Sequence, residues 1–430
     1  MMPNRYRLRA VSYQQHHGKF RQSTIKNSTT LNVIEGIKSG HWPSLAGAWL
    51  HFEVSFMTWL LIGSLGVSIS EEFGLSPTQK GLLVACPLLS GALLRIGVGL
   101  SSDRLGAKVT GLYLLAGEMG ALLWGWLGGG SFVQLLGVGL LLGVAGASFA
   151  VALPIASRAY PPAYQGLAMG IAASANSGTV LAMFLAPRVA DALGWHGVFG
   201  VTLVPVLVTA VLFGMMVQSD AQVGRWRPRQ ARGQWWQDLR EGLARPSMHW
   251  LCLLYAVTFG GFVGVCSFLP IFLHDQYGFD RVTAGSVTAL GGLLGSFIRP
   301  LGGYLADRLG GMRVLPFVFA AIAATVGTVG WLPEAPAGVT LLLAGLAAMG
   351  FGNGVIFQVV SDRFSKQMGL ASGVIGAAGG IGGFLLPLGL GGLKDLTGTY
   401  ATGLWCFAAA AVCAWVTVVL AQQRARLAGR

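Results

Sequence analysis

Two arginines lie in the middle of otherwise apolar stretches of this sequence. Arg95 stands in GALLRIGVGLSSDRLG (91–106) and Arg299 stands in GSFIRPLGGYLADRLG (295–310), and each is followed eight residues later by Asp-Arg-Leu-Gly. An arginine at the centre of a membrane-spanning helix costs about 2.5–3.5 kcal/mol on insertion scales, so such residues face a partner or a water-filled cavity. The two arginines are therefore the first candidates for binding chemistry.

Few acidic residues are available to neutralise these arginines. The apolar stretches of the chain contain Glu53 and Glu118, with His51 as the one further group nearby that could carry a proton. Guanidinium groups present planar pairs of N–H donors that match a planar or tetrahedral oxyanion. A cavity that holds both arginines without enough acid to neutralise them predicts a small anion as the substrate.

The elements that position these residues are predicted to be membrane-spanning helices. Only 10% of the 430 residues are charged, against about 25% in a soluble domain, and the mean hydropathy is +0.63. A spanning helix needs about 20 apolar residues, and this rule predicts twelve of them. The predicted spans are 46–69, 80–101, 108–129, 131–155, 165–190, 197–218, 249–273, 283–305, 313–333, 338–361, 370–393 and 400–421.

The long polar connection at 219–248 divides these spans into two sets of six. We therefore predict an all-α membrane protein with a basic cytoplasmic tail at 1–45, a first half at 46–218, a cytoplasmic linker at 219–248, a second half at 249–421 and a cytoplasmic tail at 422–430. With both termini inside, 23 of the 29 Lys and Arg residues fall on the inner side and four on the outer side, as the positive-inside rule requires. The net charge of +13 thus indicates a multi-pass protein of the cytoplasmic (inner) membrane and not a nucleic-acid-binding protein.

The two halves carry the same pattern about 204 residues apart, because an Asp-Arg pair follows each buried arginine at the same spacing. Parallel repeats of six helices are the arrangement of the major facilitator superfamily, whose site lies between the halves near the bilayer midplane. The repeated pairs fall at the cytoplasmic ends of helices 2 and 8, where we expect them to shape the loops and gate the transporter. These residues are Asp103, Arg104, Asp307 and Arg308.

Four segments, in order, resemble the nitrate/nitrite porter (NarK-like) family of that superfamily. They are SGALLR (90–95), LLYAVTFGGFVG (253–264), GSFIRPLGGYLADRLGG (295–311) and GVIGAAGGIGGFLLP (373–387). The resemblance implies that Arg95 and Arg299 hold the oxygens of nitrate or nitrite, assisted by Asn176 and Tyr255.

The same resemblance implies two further sets of residues. Aromatic rings are expected to close the site above and below, at Phe56, Phe149 and Phe259. Glycines of helices 5 and 11 are expected to let the backbone approach or bend during gating, at Gly178, Gly376, Gly379, Gly380 and Gly383. The family's helix-5 signature places glycines around the asparagine, whereas Ala173 and Ala175 stand there in this sequence.

The expected function is secondary active transport of nitrate, nitrite or both by alternating access. Nitrate/nitrite exchange and nitrate/proton symport both remain open, because Glu53 and Glu118 are available to carry protons. An exchanger of another small anion, such as formate or oxalate, and an anion sensor that does not transport are the alternatives. The sequence holds no GxSxG, HExxH or Walker pattern, so we expect no enzyme activity, no cofactor and no metal, and we expect a functional monomer.

Overall fold

The computed structural model describes residues 38–161, 164–219, 240–364 and 368–428, and every regular element in these ranges is a helix. Most of the predicted N-terminal tail (1–37), most of the predicted linker (220–239) and the last two residues lie outside the described residues. The described helices group into twelve segments. In chain order the segments are α1 (42–73), α2 (Pro77–Leu105), α3 (Ala107–Leu127), α4 (Phe132–Arg158), α5 (165–193), α6 (195–216), α7 (Pro246–Tyr277), α8 (Arg281–Leu309), α9 (Gly311–Val329), α10 (Ala335–Phe364), α11 (Met368–Thr397) and α12 (Ala401–Ala428).

Nine helices in the described ranges are long and apolar enough to cross a membrane. One of them, Gln165–Met216, has 52 residues, or about 78 Å at 1.5 Å per residue, more than twice the thickness of a bilayer's hydrocarbon core. It is interrupted at Gly194, whose φ of +71° is left-handed, so it comprises α5 and α6. The broken segment α1 and the less apolar α3 complete the twelve.

Helix ends differ from the predicted spans because caps fix them more than hydropathy does. Ser76 forms a capping box with Gln79, so α2 begins three residues before the predicted span. Asp280 accepts hydrogen bonds from the backbone N–H groups of Val282 and Thr283 and starts α8 two residues early. The apolar stretch therefore locates each helix, and the polar residues around it set its length.

α1 and α7 are among the segments that depart from regular helix. α1 consists of Trp42–Trp59, Leu61–Ser64 and Gly66–Phe73, with breaks at Leu60 and Leu65. α7 contains one widened turn at Ala256–Gly260, a feature often found at functional sites. Both segments are buried along most of their length, so these irregular turns lie inside the protein and not against lipid.

We call α1–α6 the first half and α7–α12 the second half. The halves meet mainly where α2 packs along α11 and where α5 packs along α8. Large apolar side chains such as Leu127, Val133, Met215, Phe317 and Leu396 are exposed on the outside of the bundle. Such a surface is unfavourable in water and is suited to lipid.

The halves are joined by polar contacts at the end of the bundle that carries the α1–α2 and α7–α8 connections, which we call the tied end. Lys80 of α2 forms an ion pair with Asp275 of α7, with Nζ 2.8 and 3.0 Å from the two carboxylate oxygens. Arg281 pairs with Glu71, and the backbone N–H of Thr78 donates to Asp395 over 2.8 Å. These bonds hold the two halves together at this end of the molecule.

Candidate functional site

Arg95 lies between the halves, 4% exposed, and both ends of its guanidinium are engaged. Nε donates to the carbonyl of Gly146 on the first half (2.9 Å), and Nη1 donates to the carbonyl of Gly376 on α11 of the second half (2.6 Å). Its Cζ lies 5.3 Å from the ring centroids of both Trp59 and Phe259. The guanidinium is thus flanked by two aromatic rings, one from each half, in the geometry of a cation–π contact.

Glycines allow the helices around Arg95 to come close enough for these bonds. A Cβ at Gly146 would lie 2.4 Å from the Trp59 ring, and one at Gly380 would lie 2.6 Å from Cβ of Ala92. A Cβ at Gly376 would be 3.6 Å from Nη1 of Arg95. The glycine-rich sequence of α11 therefore lets its backbone, rather than a side chain, face Arg95.

Arg299 occupies the matching place in the second half and is 8% exposed. It opens the second part of α8, Arg299–Leu309, after a break at Ile298. A Cβ at Gly354 of α10 would lie 2.1 Å from the Arg299 carbonyl oxygen. The backbones of α8 and α10 are therefore in direct contact at Arg299. Its guanidinium carbon lies 5.7 Å from the ring centroid of Phe357, also on α10.

Tyr255 connects the two arginines. Its side chain is 2% exposed and interacts with both guanidinium groups, which are also close enough to repel each other. Its ring stacks on Phe259 with centroids 5.0 Å apart and an angle of 3° between the planes. The structure therefore brings Arg95, Arg299, Tyr255 and Phe259 into one cluster.

The widened turn of α7 and Gly379 of α11 form the support for this ring stack. Tyr255 immediately precedes the turn and Phe259 lies within it. A Cβ at Gly379 would lie 2.7 Å from the Tyr255 ring and 2.9 Å from the Phe259 ring. Gly383, the last of the expected glycines, faces Gly260 of the same turn. The rings thus lie directly on the backbone of α11.

The three aromatic rings expected to close the site, Phe56, Phe149 and Phe259, differ in what they contact. Phe149 contacts Phe357 across the halves, with centroids 6.1 Å apart. Phe56 packs edge-on against Trp59 at 5.2 Å, and Trp59 is the ring that faces Arg95. Phe56 therefore supports Trp59.

Trp59 and Phe357 were not among the site residues predicted from the sequence. Phe357 lies 5.2 Å from Tyr255 in an edge-on arrangement, in addition to its contacts with Arg299 and Phe149. The available signals were positional. Trp59 is three residues after Phe56 on the same segment, and Phe357 is one helical turn after Asn353, a buried polar residue of α10.

Asn176 lies in a tight turn, Ser174–Ser177, that interrupts α5. The turn packs against both α1 and the first part of α8. The side chain of Asn176 is 1% exposed, and its Oδ1 has no hydrogen-bond partner among the described residues. The NH₂ group of the same amide can donate to an anion, which only accepts hydrogen bonds.

Glu53 fixes the same turn from α1. The hydroxyl of Ser177 donates to Oε2 of Glu53 over 2.7 Å. A Cβ at Gly178 would lie 2.1 Å from the Glu53 carbonyl oxygen, so this glycine allows α5 to touch the α1 backbone. Glu53 thus lies next to the expected substrate residue Asn176.

Glu118 lies elsewhere, at the interface of α3 and α1. It is fully buried, and the Ser55 hydroxyl donates to its Oε1 over 2.6 Å. His51 lies one turn before Ser55 on α1. Its Nε2 is 3.1 Å from the Gly111 carbonyl oxygen, and its ring packs on Phe213. Both groups therefore belong to the packing of the first half.

The repeated Asp-Arg pairs end α2 and α8, far from the arginine cluster. Arg104, Asp307 and Arg308 are exposed, and Arg308 lies over the Tyr304 ring at 4.4 Å. Asp103 is within α2, and its side chain is outside the described part of the structure. The exposed residues are thus placed at the surface, where a role in loop geometry remains a prediction.

The central cluster contains two buried guanidinium groups, a charge that would suit an anion. Within the described ranges, no carboxylate lies within 4 Å of the Arg95 or Arg299 guanidinium in an ion pair. In the same ranges no group of three His, Cys, Asp or Glu side chains is arranged to hold a metal ion. Two buried cations with aromatic rings and a tyrosine hydroxyl between them can bind a small oxyanion from two sides.

Comparison with known proteins gives relatives along most of the chain. A family model described as the Major Facilitator Superfamily matches residues 48–387. The nitrite extrusion protein of Bacillus subtilis (strain 168) is 32% identical over 374 residues, which cover 86% of this chain and 92% of that protein. "Probable nitrate/nitrite transporter NarK2" of Mycobacterium tuberculosis (strain ATCC 25618 / H37Rv) is 34% identical and covers 84% and 91%. "Probable nitrate/nitrite antiporter NarK1" of Thermus thermophilus is 31% identical and covers 79% and 82%.

Solved structures share the fold at lower identity. A D-xylose-proton symporter has a TM-score of 0.67 at 18% identity, covering 90% of this chain and 97% of that one. The human organic anion transporter MFSD10 has a TM-score of 0.68 at 16% identity, covering 88% and 99%. At these identities the likeness concerns the helical architecture alone.

Proposed function

Because this chain belongs to the nitrate/nitrite porter family of the major facilitator superfamily, we propose that it carries nitrate, nitrite or both across the membrane by alternating access. The observation that supports this most directly is the pair Arg95 and Arg299, buried on opposite halves with Tyr255 between them. The relatives named above are described as nitrate or nitrite transporters, which agrees with a small planar anion as the missing counter-charge.

In the proposed bound state the anion bridges the two halves. Arg95 and Arg299 donate N–H groups to its oxygens, and the hydroxyl of Tyr255 donates a third hydrogen bond. The side-chain amide of Asn176 adds a donor from α5. Hydrogen bonds to a charged partner contribute about 1.5–3 kcal/mol each, so this set favours an oxyanion over a halide, which lacks separate acceptor atoms.

The rings around the arginines select for size and shape. Phe259 and Trp59 cover the Arg95 guanidinium from the two halves, and Phe357 covers that of Arg299. We expect these closely packed rings to leave less room for a larger carboxylate than for a three- or four-atom planar anion. This favours nitrate and nitrite over an oxalate-type substrate.

Anion binding would also drive the conformational change. Without an anion, two guanidinium groups repel each other in a low-dielectric site, which disfavours full closure around them. A bound anion replaces this repulsion with two attractions, so the loaded protein crosses between its two states more readily than the empty one. Exchange of nitrate for nitrite follows from this as the proposed mode.

Proton symport is the alternative mode, because an ionisable group in the membrane could carry a proton. Glu53 is placed beside Asn176 and Glu118 within the first half, so either is available for this role. For both modes we propose that the protein is a monomer in the cytoplasmic membrane with both termini on the cytoplasmic side. In it the halves 46–218 and 249–421 rock about the arginine pair, and the Asp-Arg pairs, the linker and the tails lie on the cytoplasmic side.

Transport by the pure protein in liposomes tests this function. Nitrite-loaded vesicles should take up labelled nitrate, and vesicles without an internal anion should not, even with an imposed proton gradient. Nitrite and chlorate should compete with nitrate, whereas the larger oxalate and lactate should not. Proton-driven uptake into empty vesicles would replace exchange with symport, and stronger competition by formate or oxalate would identify a carboxylate exchanger.

A further inference from the structure

A long groove runs along the outer surface of the second half, away from the arginine cluster. It lies between α8, α9 and α10 and has a volume of about 560 Å³. Its walls are apolar along most of their length and include Leu305, Leu309, Phe317, Ala321 and Phe351. Leu309 and Phe317 are more than half exposed, so the groove opens to the side of the bundle that faces lipid.

The length of the groove corresponds to one leaflet. Along α8 it extends from Leu309, next to the helix end, back to Ile298, and along α9 it extends from Arg313 to Ala321. At 1.5 Å per residue these distances are about 16 and 12 Å. Half of a hydrocarbon core of about 30 Å is close to both values, so one acyl chain fits along the groove from the helix ends to the middle of the bilayer.

The end of the groove at the α8–α9 connection carries a positive charge. Arg313 lines the groove there, is exposed, and lies in the first turn of α9. The helix begins after Gly310 without a side-chain cap. The N–H groups of its first turn and the positive end of its dipole therefore lie at this end of the groove. A guanidinium next to a helix N-terminus suits a phosphate.

From these three observations we infer that the groove is a binding site for an anionic phospholipid. One acyl chain lies between α8, α9 and α10, and the phosphate of the headgroup rests on Arg313. The inference does not depend on the transported substrate.

The position of the lipid connects it to the transport site. Ile298, which lines the groove, precedes Arg299 in the chain. Phe351, on the opposite wall, presents its carbonyl oxygen to Gly302, where a Cβ would be only 2.1 Å away. The lipid therefore packs on the outer side of the α8–α10 contact that carries Arg299 and Phe357, and its loss should loosen that contact.

The test measures lipid binding to the purified full-length protein by native mass spectrometry. The probes are dioleoyl phosphatidylglycerol, which is anionic, and dioleoyl phosphatidylethanolamine, which is zwitterionic. The wild-type protein should retain phosphatidylglycerol preferentially. Arg313→Gln should weaken retention of phosphatidylglycerol about tenfold, as expected for loss of a charge-assisted contact, and should leave phosphatidylethanolamine unchanged.

Two further variants separate the headgroup from the chain. Ala321→Trp fills the exposed end of the groove that lies near the middle of the bilayer and should reduce retention of both lipids. Lys108→Gln removes a cation from the corresponding start of α3 in the first half and should bind both lipids as wild type does. Melting temperatures of each variant without lipid identify any that is misfolded, and Ala321→Val then replaces the tryptophan.

Four results would overturn the inference. Arg313→Gln could retain phosphatidylglycerol as well as wild type does, or Lys108→Gln could lose it to the same extent. Inorganic phosphate alone could raise the melting temperature of wild type as much as phosphatidylglycerol does, which would indicate an ion site without a chain. A dimer that Ala321→Trp abolishes would assign the groove to a second copy of the protein.

Discussion

Nη1 of Arg95 donates a hydrogen bond to the carbonyl oxygen of Gly376, 2.6 Å away on the opposite half. Because Nε of the same guanidinium bonds to Gly146 of its own half, the side chain bridges the halves through two backbone carbonyls. A bound anion would compete with these carbonyls for the guanidinium. In the proposed mechanism, a substrate oxygen replaces the Gly376 carbonyl oxygen as the acceptor of Nη1. Loss of this hydrogen bond transmits substrate binding to α11.

Replacement of either arginine by lysine should nearly abolish transport. Arg95→Lys and Arg299→Lys keep the charge but remove the planar pair of donors. Loss of one charge-assisted hydrogen bond of about 1.5–3 kcal/mol corresponds to about a 10–100-fold loss of kcat/KM. Nitrate/nitrite counterflow in liposomes measures this, with Lys108→Arg at the start of α3 as a conservative control. Normal counterflow by Arg299→Lys would contradict the two-arginine site.

The contact of α8 with α10 should be intolerant of a single methyl group. Gly354→Ala places a Cβ 2.1 Å from the Arg299 carbonyl oxygen, whereas Gly303→Ala on the same interface meets its nearest atom at 3.8 Å. Overpacking costs about 1–3 kcal/mol, so Gly354→Ala should lower both the melting temperature and the transport rate. Thermal unfolding in detergent measures the first effect. Equal melting temperatures for the two variants would show that the helices separate without cost.

The sequence was sufficient to predict the helical segments and to single out Arg95, Arg299, Tyr255 and Phe259, which the structure brings together. Their role in binding stays a prediction. The free-energy cost of burying an arginine in a membrane helix is high enough for the residue type alone to mark a candidate site. The four-residue spacing of Tyr255 and Phe259 predicts that they share one helix face, and their rings stack in the structure. Trp59 and Phe357 were missed because an aromatic residue in a membrane helix has no such cost. Only the packing of α1 and α10 distinguishes a ring on a guanidinium from a ring on lipid.

The irregular turns could not be predicted from the sequence either. The widened turn at Ala256–Gly260 and the breaks at Leu60 and Leu65 contain no proline, the residue that most often marks a kink. They arise where α7 and α1 are held by contacts from several neighbouring helices. A tertiary cause of this kind leaves no local pattern to read.

The ion pair of Lys80 with Asp275 should stabilise the conformation in which the tied end is closed. Its two side chains are 16% and 15% exposed, and Tyr400 donates a further hydrogen bond to Asp275 over 2.9 Å. Lys80→Gln or Asp275→Asn should shift the protein toward states in which this end is open. The double variant should shift it little further, since neighbouring partners couple by about 0.5–3 kcal/mol.

Distances between spin labels on the α1–α2 and α7–α8 connections measure this shift. The distances should lengthen in each single variant and remain those of wild type in Lys108→Gln, which changes a cation at the start of α3, at the other end of α2 from Lys80. Additive lengthening in the double variant would mean that Lys80 and Asp275 act independently.

Neutral replacement of the two buried acids should distinguish exchange from symport. Glu53→Gln and Glu118→Gln keep an oxygen that accepts the hydroxyl hydrogen bond of Ser177 or Ser55, so the packing around each should persist. In an exchanger no proton crosses with the anion, and both variants should retain nitrate/nitrite counterflow within about twofold, which is below 0.5 kcal/mol in activation free energy. Substitution by alanine removes the acceptor as well and serves as the comparison for loss of structure. If wild type took up nitrate into empty vesicles on a proton gradient, and Glu53→Gln lost that uptake while counterflow continued, the proton would be carried beside Asn176 and exchange would not be the mode.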